Sequence, residues 1–478
     1  MQNEKCVFIC ADHGLAIIYF LKSQVVNCLL AQGVKVVLLT QDELVEGITE
    51  NYQQSGLTVV GLRYDECENY ARSYHASVQW WLNFLRRVGT SDRINTEAMD
   101  SHVRQVEAEL QGKQRLVLPF AKSCIRILRK SKAVRKKLIE MQMKFVPSIY
   151  SDLFAKYHPD LVVSSTYGWR NDKYLLREAK KHHVKAGTVI VGWDNPSSYG
   201  LPSAPLDFAI CWSEIQKREL VEGSDWEPEK IKIGGIPSYD GYYSREWLIP
   251  QEAYYKLHGL DPKRKLIAYA CSFVTFSPNL QNVVALANAV NSGKLKTPAQ
   301  LLVRLHPNHF LADPLYTRER EEILDLASKM PFIHVVEPVA LGGNLGNYSG
   351  EDMEEKTSMM AHADVFTTVY STMCVECAIH DKPILSVCMD TPGGWNKAHK
   401  FSLALSEIGK WPTHSRFINS KAGRVVFDGE KLIDTLNLYL SDPSLDCAER
   451  EKFVQNEITF IDGNASKHTA SHILDLLK

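Results

Sequence analysis

The chain has 478 residues, 45% of them hydrophobic and 23% charged, enough to bury the cores of two or more domains and far from a disordered or collagen-like composition. Fifty-five basic residues against 56 acidic give a formal net charge of −1, which excludes a protein built as a whole around polyanion binding, and no nucleic-acid partner is expected. No apolar run reaches the roughly 18 residues of a bilayer span, and Asp12 and His13 interrupt the opening segment, so neither a membrane span nor a signal peptide is predicted.

In chain order, short apolar and β-branched runs predict strands at 5–10, 34–39, 57–61, 160–165, 187–192, 206–211 and 231–234. Helical spacing separates most of them, as at 14–31 and 172–182. The pattern restarts with predicted strands at 265–271, 301–305, 332–336, 365–368 and 384–387. Nearly continuous apolar strands alternating with helices predict parallel sheets covered on both faces. The expected fold class is therefore α/β, with two Rossmann-like domains: residues 1–246, a linker at 247–262 rich in Pro and Gly, and residues 263–478. Sheets of this kind place ligands outside the carboxyl ends of their strands, so a cleft between the two domains is the expected site.

A helical insertion at about 73–142 breaks the first alternation. Within it, 113–137 holds ten Lys or Arg and no acid. Leu118, Ala121, Ile125 and Leu128 share one helical face, with Lys122, Arg126, Arg129 and Lys130 elsewhere around it. Three readings fit: a solvated helix covering the sheet, peripheral contact with an anionic membrane, or nucleic acid. The eleven cysteines sit mostly in strand-like runs, as reduced core thiols of a cytoplasmic protein would, and Cys374/Cys377 lack the second pair that zinc needs.

Polar residues gather just after predicted strands. Asp12-His13 follows the first strand, where His13 can act as general base with Asp12 orienting it or acting instead; a helix cap is the structural alternative. Trp193-Asp194-Asn195 lies in a Gly-bounded loop after another strand and suits contact with a sugar acceptor. Gly235 allows a close backbone approach or simply a tight turn. In the second half Arg304-Leu305-His306-Pro307 ends one strand, and Ser371-Thr372 follows another and opens a helix carrying Glu376. Hydroxyls and amides at a helix start attract phosphate, Glu376 can reach a ribose diol, and Ser272 can donate to the same phosphate. Each has a structural alternative; together they propose a nucleotide site. There is no Asp-x-Asp, no P-loop and no Gly-x-Gly-x-x-Gly, so no metal and no tightly held cofactor are expected.

The ordered set of Ala31-Gln32-Gly33, His158-Pro159-Asp160, Gly192-Trp193-Asp194-Asn195-Pro196, Cys211-Trp212-Ser213-Glu214, Gly234-Gly235-Ile236-Pro237, Arg304-x-His306-Pro307 and Ser371-Thr372-x-x-x-Glu376 resembles a bacterial glycosyltransferase-like branch of the GT-B fold across most of the chain. The last two pieces are also similar to motifs of CDP-glycerol glycerophosphotransferases and of bacterial sialyl- and Kdo-transferases. That resemblance implies that His306, Ser371, Thr372 and Glu376 hold the donor nucleotide. It implies an enzyme that moves a sugar from a nucleotide sugar to a saccharide or glycolipid acceptor. The cysteines and the basic helix, not the resemblance, give the expected location: cytoplasmic, with peripheral contact at the inner membrane through 113–137 as one reading of that helix. A CDP-polyol phosphotransferase and a non-catalytic nucleotide-sugar-binding module are the alternatives. The Glu-x7-Glu of many retaining relatives is broken at Thr368, and Val369-Tyr370-Ser371-Thr372 replaces the Asp-Ser-Gly-Gly of the 2-epimerases.

Overall fold

Cys6–Cys10 forms β1, a strand buried on both faces because every side chain in it is small, aromatic or β-branched. In the computed structural model, which describes residues 4–272, 279–312, 314–338, 350–390 and 403–478, β1 sits inside a seven-stranded sheet. The other strands are β2 (Lys35–Thr40), β3 (Leu57–Gly61), β4 (Leu161–Ser164), β5 (Lys185–Val189), β6 (Phe208–Cys211) and β7 (Ile231–Ile233). Their order is β3-β2-β1-β4-β5-β6-β7, all parallel, with Val7 paired to Val36 on one side and to Leu161 on the other. The order reverses between β1 and β4, the kind of switch point at whose carboxyl edge open α/β sheets bind ligands.

A second sheet is built from β8 (Lys265–Ala270), β9 (Ala299–Arg304), β10 (Ile333–Val336), β11 (Val365–Thr368), β12 (Ile384–Val387) and β13 (Arg424–Val426). Its order is β10-β9-β8-β11-β12-β13, again parallel, with the reversal between β8 and β11. Ile267, Leu301, Val303, Val365 and Leu385 lead its core against Val283, Leu286 and Leu436 from the covering helices.

The domain boundaries differ from those expected. One unit holds the chain up to Asp240 together with Ile458–Lys478, and the other is Gly241–Glu457. The carboxylate of Asp240 accepts from the amides of Ala465 and Ser466, starting the helix Ala465–Leu476 on the first unit. The stretch 247–262 is no linker. Trp247 packs edge-on to Tyr242, and the helix Gln251–His258 is held to the second unit by Tyr254 donating to Glu355 at 2.9 Å.

The helix expected at 14–31 is interrupted. A π-helical turn at Ile18–Lys22 ends at Ser23, whose hydroxyl donates to the Tyr19 carbonyl, and a new helix begins at Val25. The helical insertion is present: Ala76–Val88, Glu97–Glu109, Gly112–Lys130 and Lys132–Gln142 lie between β3 and β4. Leu118, Ala121, Ile125 and Leu128 face inward as their spacing predicts. All eleven cysteines are free, and burial pushes the Cys374 thiol up to about 12, so the Cys374/Cys377 pair is core packing. Among the described residues, no single helix is long and apolar enough to cross a membrane.

Candidate functional site

In the first unit, the loops after β1 and β4 flank the switch point. Gln41 donates to the carbonyl of Asp12 at 2.9 Å and fixes the first of these loops. The Asp12 carboxylate lies 2.7 Å from His13 Nδ1 and accepts from the Ser165 hydroxyl at 3.1 Å. Both Asp12 and His13 are buried, at 4% and 6% exposure. Burial raises the Asp12 carboxyl, but the His13 hydrogen bond and the charges of His13 and Arg170 outweigh it and carry it below its usual range. Burial also lowers His13, and the pull of Asp12 does not restore it. The imidazole is thus neutral near pH 7, with Nδ1–H given to Asp12. Among the described residues, His13 Nε2 is buried and makes no hydrogen bond.

The sequence reading passed over the loop after β4. Asp172, fully buried, accepts from the Gly168 amide at 3.1 Å. Burial and the nearby Asp12 push its carboxyl up to about 6. Trp169 is stacked on Tyr199 at 5.0 Å and covered by the Arg87 guanidinium at 4.5 Å. Position just after a central strand, beside the switch point, was the available signal.

Three of the expected contacts are structural. Trp193 is 1% exposed and cannot stack on a sugar. Asn195 closes its own turn, its amide oxygen accepting from Gly192 N at 2.7 Å and its carbonyl from the Tyr167 hydroxyl at 2.7 Å. Gly235, at φ +80°, belongs to the first unit. A Cβ there would lie 2.9 Å from both Ala465 and Phe460, so its glycine serves the returning C-terminal segment rather than a donor. Asp194 remains half-buried in its loop.

In the second unit, Ser272, His306 and Ser371-Thr372 follow β8, β9 and β11, three adjacent strands, so the fold does gather them at one sheet edge. A buried network ties two of these loops together. The Ser272 amide donates to Asn279 Oδ1 at 2.7 Å, Asn279 N donates to Glu319 at 2.8 Å, and Glu319 lies 2.8 Å from His309 Nε2. His309 Nδ1 in turn accepts from the His306 amide at 3.0 Å. His306 Nδ1 accepts from Asn308 N at 3.1 Å, which places the remaining ring proton on Nε2. Burial, with His309 and Arg304 nearby, pushes His306 down to about 3, so its ring is neutral near pH 7.

Two expected donor contacts are committed elsewhere. Arg304 is 2% exposed and ion-paired to Asp352 and, at 3.2 Å, to Glu355, so its charge is spent in the core. Glu376 accepts from Lys356 and from the Tyr242 hydroxyl and does not stand open to a ribose. The start of the helix Met373–Ile379 is also largely satisfied. Ser371 and Thr372 accept from the amides of Met373, Cys374 and Val375 at 2.9–3.2 Å, leaving the two half-buried side-chain hydroxyls as the donors. Tyr370 just before them holds a left-handed φ of 35°, a strained conformation at the turn that presents them. Among the described residues, no three His, Cys, Asp or Glu side chains are grouped to hold a metal ion.

No protein-family profile matches the chain, and no curated protein matches it in sequence. Solved structures do match in shape. A UDP-GlcNAc 2-epimerase from Neisseria meningitidis bound to UDP-GlcNAc superposes with a TM-score of 0.54 at 12% identity, over 98% of this chain and 100% of that one. A glycosyltransferase from Rickettsia africae gives 0.51 at 12%, over 99% of each chain. Arabidopsis thaliana UGT89C1, complexed with quercetin, gives 0.52 at 11%, over the whole of both. The chain has the GT-B fold. The two switch points described above lie one in each Rossmann-like unit of this GT-B chain. Identities near 12% show this fold and assign neither an activity nor a substrate.

Proposed function

We propose that this GT-B protein is a metal-independent glycosyltransferase using a nucleotide-activated sugar. The observation that carries the reading is the Asp12–His13 pair: a neutral imidazole, oriented through Nδ1, with Nε2 unbonded at the carboxyl edge of the first sheet. Nε2 would take the proton of the acceptor hydroxyl as its oxygen attacks the anomeric carbon and the bond to the leaving phosphate breaks. Asp12 then stabilises the imidazolium. Charge on the leaving phosphate would be met by His306 Nε2–H and the hydroxyls of Ser371 and Thr372, while the Ser272 hydroxyl, given to Asn279 Oδ1 at 3.4 Å, would have to turn to join them. The lack of an Asp-x-Asp supports a metal-free reaction, and the Glu-x7-Glu broken at Thr368 leaves it without the retaining signature.

The test couples binding to turnover. Wild type and His13→Ala are titrated calorimetrically with UDP, GDP, dTDP, CMP and CDP, and the donor of the nucleotide that binds is offered with saccharide acceptors. His13→Ala should bind the same nucleotide equally well and lose about 10²-fold or more in turnover. Full turnover in the variant would remove His13 as the base. Inversion of the donor sugar at C2 without transfer would point instead to the epimerase chemistry that the shared fold also hosts.

A further inference from the structure

The Gly112–Lys130 helix has two apolar faces, only one of which the protein uses. Leu118, Ala121, Ile125 and Leu128 are buried chiefly against the other helices of the insertion, so the face legible in the sequence is already occupied. On the opposite side, Leu116 is 80% exposed, Phe120 71% and Ile127 56%, with Val117 beside them. At about 100° per residue these four fall on one outward stripe. Three large apolar side chains exposed along one side of a helix, interrupted only at Ser123, are the kind of surface that marks an interaction site.

Its border is cationic. Lys122, Arg129 and Lys130 are matched by Glu107, Asp100 and Asp92 of neighbouring segments. Lys113, Arg115 and Arg126 are exposed, and among the described residues none has an ion pair. Lys132 and Lys136, also exposed, extend the charge along the next helix.

We propose that this outward face docks the protein on an anionic lipid surface. Leu116, Phe120 and Ile127 would enter the boundary between headgroups and acyl chains, while Lys113, Arg115 and Arg126 pair with lipid phosphates. A second copy of the chain would set cations against cations. A nucleic acid would use the charges but leave the aliphatic stripe in water.

Flotation of the full-length protein with vesicles tests this. It should float with vesicles of equal parts phosphatidylcholine and phosphatidylglycerol, less at higher salt, and not with phosphatidylcholine alone. Phe120→Ser with Ile127→Ser should abolish flotation without shifting the thermal unfolding curve, since both side chains are exposed. Each of Lys113→Gln, Arg115→Gln and Arg126→Gln should weaken partition roughly fivefold. Absence of flotation with the anionic vesicles, or flotation unchanged in the double serine variant, overturns the proposal. So does a dimer in sedimentation that the same two serines dissolve, which would assign the stripe to self-association.

Discussion

His13 is useful as a base only while its imidazole is neutral, and burial keeps it so. Because its pKa lies below the ordinary histidine value of about 6.5, kcat/KM should rise with pH along an acid limb centred below 6.5 and stay flat above it. Asp12 is the group that opposes burial, raising the imidazole through its hydrogen bond and charge. Asp12→Asn should therefore move the acid limb to still lower pH while the plateau falls about 10²-fold. An acid limb unmoved by Asp12→Asn would show that another group titrates. The pair was legible in the sequence because it directly follows the first strand. Trp193 and Asn195 occupy an equivalent place after another strand, yet turn inward, since an indole gains more from burial than a loop gains from displaying it. Position gives the edge of the sheet; it does not give the direction of a side chain. Arg304 was misread for a related reason. Its partner Asp352 is 48 residues away, and no local pattern announces such a pairing.

Secondary elements were more readable than side-chain directions. Twelve strands announce themselves as apolar runs, whereas β13, three residues long with Arg424 and Val425 only half-buried, has too little hydrophobic signal to show. The insertion was readable as helical, but much of its attachment was not, because besides the apolar cluster of Leu82, Leu128, Leu138, Phe145 and Leu201 that attachment is polar. Arg86 donates to the carbonyls of Leu201 and Gly168, Arg135 pairs with Asp225, and Arg177 reaches the carbonyls of Phe145 and Ser203 and the Gln142 side chain. Burial lowers Arg177 to about 10, still protonated at neutral pH. Arg177→Met would keep much of the volume and strand three acceptors. It should cost about 2–4 kcal/mol, read as a lower urea midpoint with an unchanged slope. A loss within 0.5 kcal/mol, the range of an ordinary surface change, would show that the carbonyls find other partners.

At the scale of the whole molecule, the chain is not two consecutive domains, and this could not be read from alternation alone. The last helix has the same helical spacing whichever unit it joins; what decides is a set of contacts more than 200 residues apart in sequence. Asp240 caps it at 2.8–2.9 Å through Ala465 and Ser466. Thr469 donates to the Gly234 carbonyl at 3.3 Å, His472 Nε2 lies 3.1 Å from the Ile233 carbonyl, and Lys185 donates to the Leu476 carbonyl at 2.7 Å. The glycines at 234 and 235 are what let Thr469 and Ala465 come so close. The helix Ala465–Leu476 is therefore part of the first unit, whose stability should respond to the cap. Asp240→Ala removes the acceptor for two helix-start amides and should cost about 1–2 kcal/mol. Measured by hydrogen exchange, the loss of protection should fall on Ala465–Leu476 and on β7, with the amides of Gly241–Glu457 unchanged. If protection instead fell across β8, β9 and β11, the cap would be stabilising the second unit, and the assignment of the C-terminal helix to the first would be wrong.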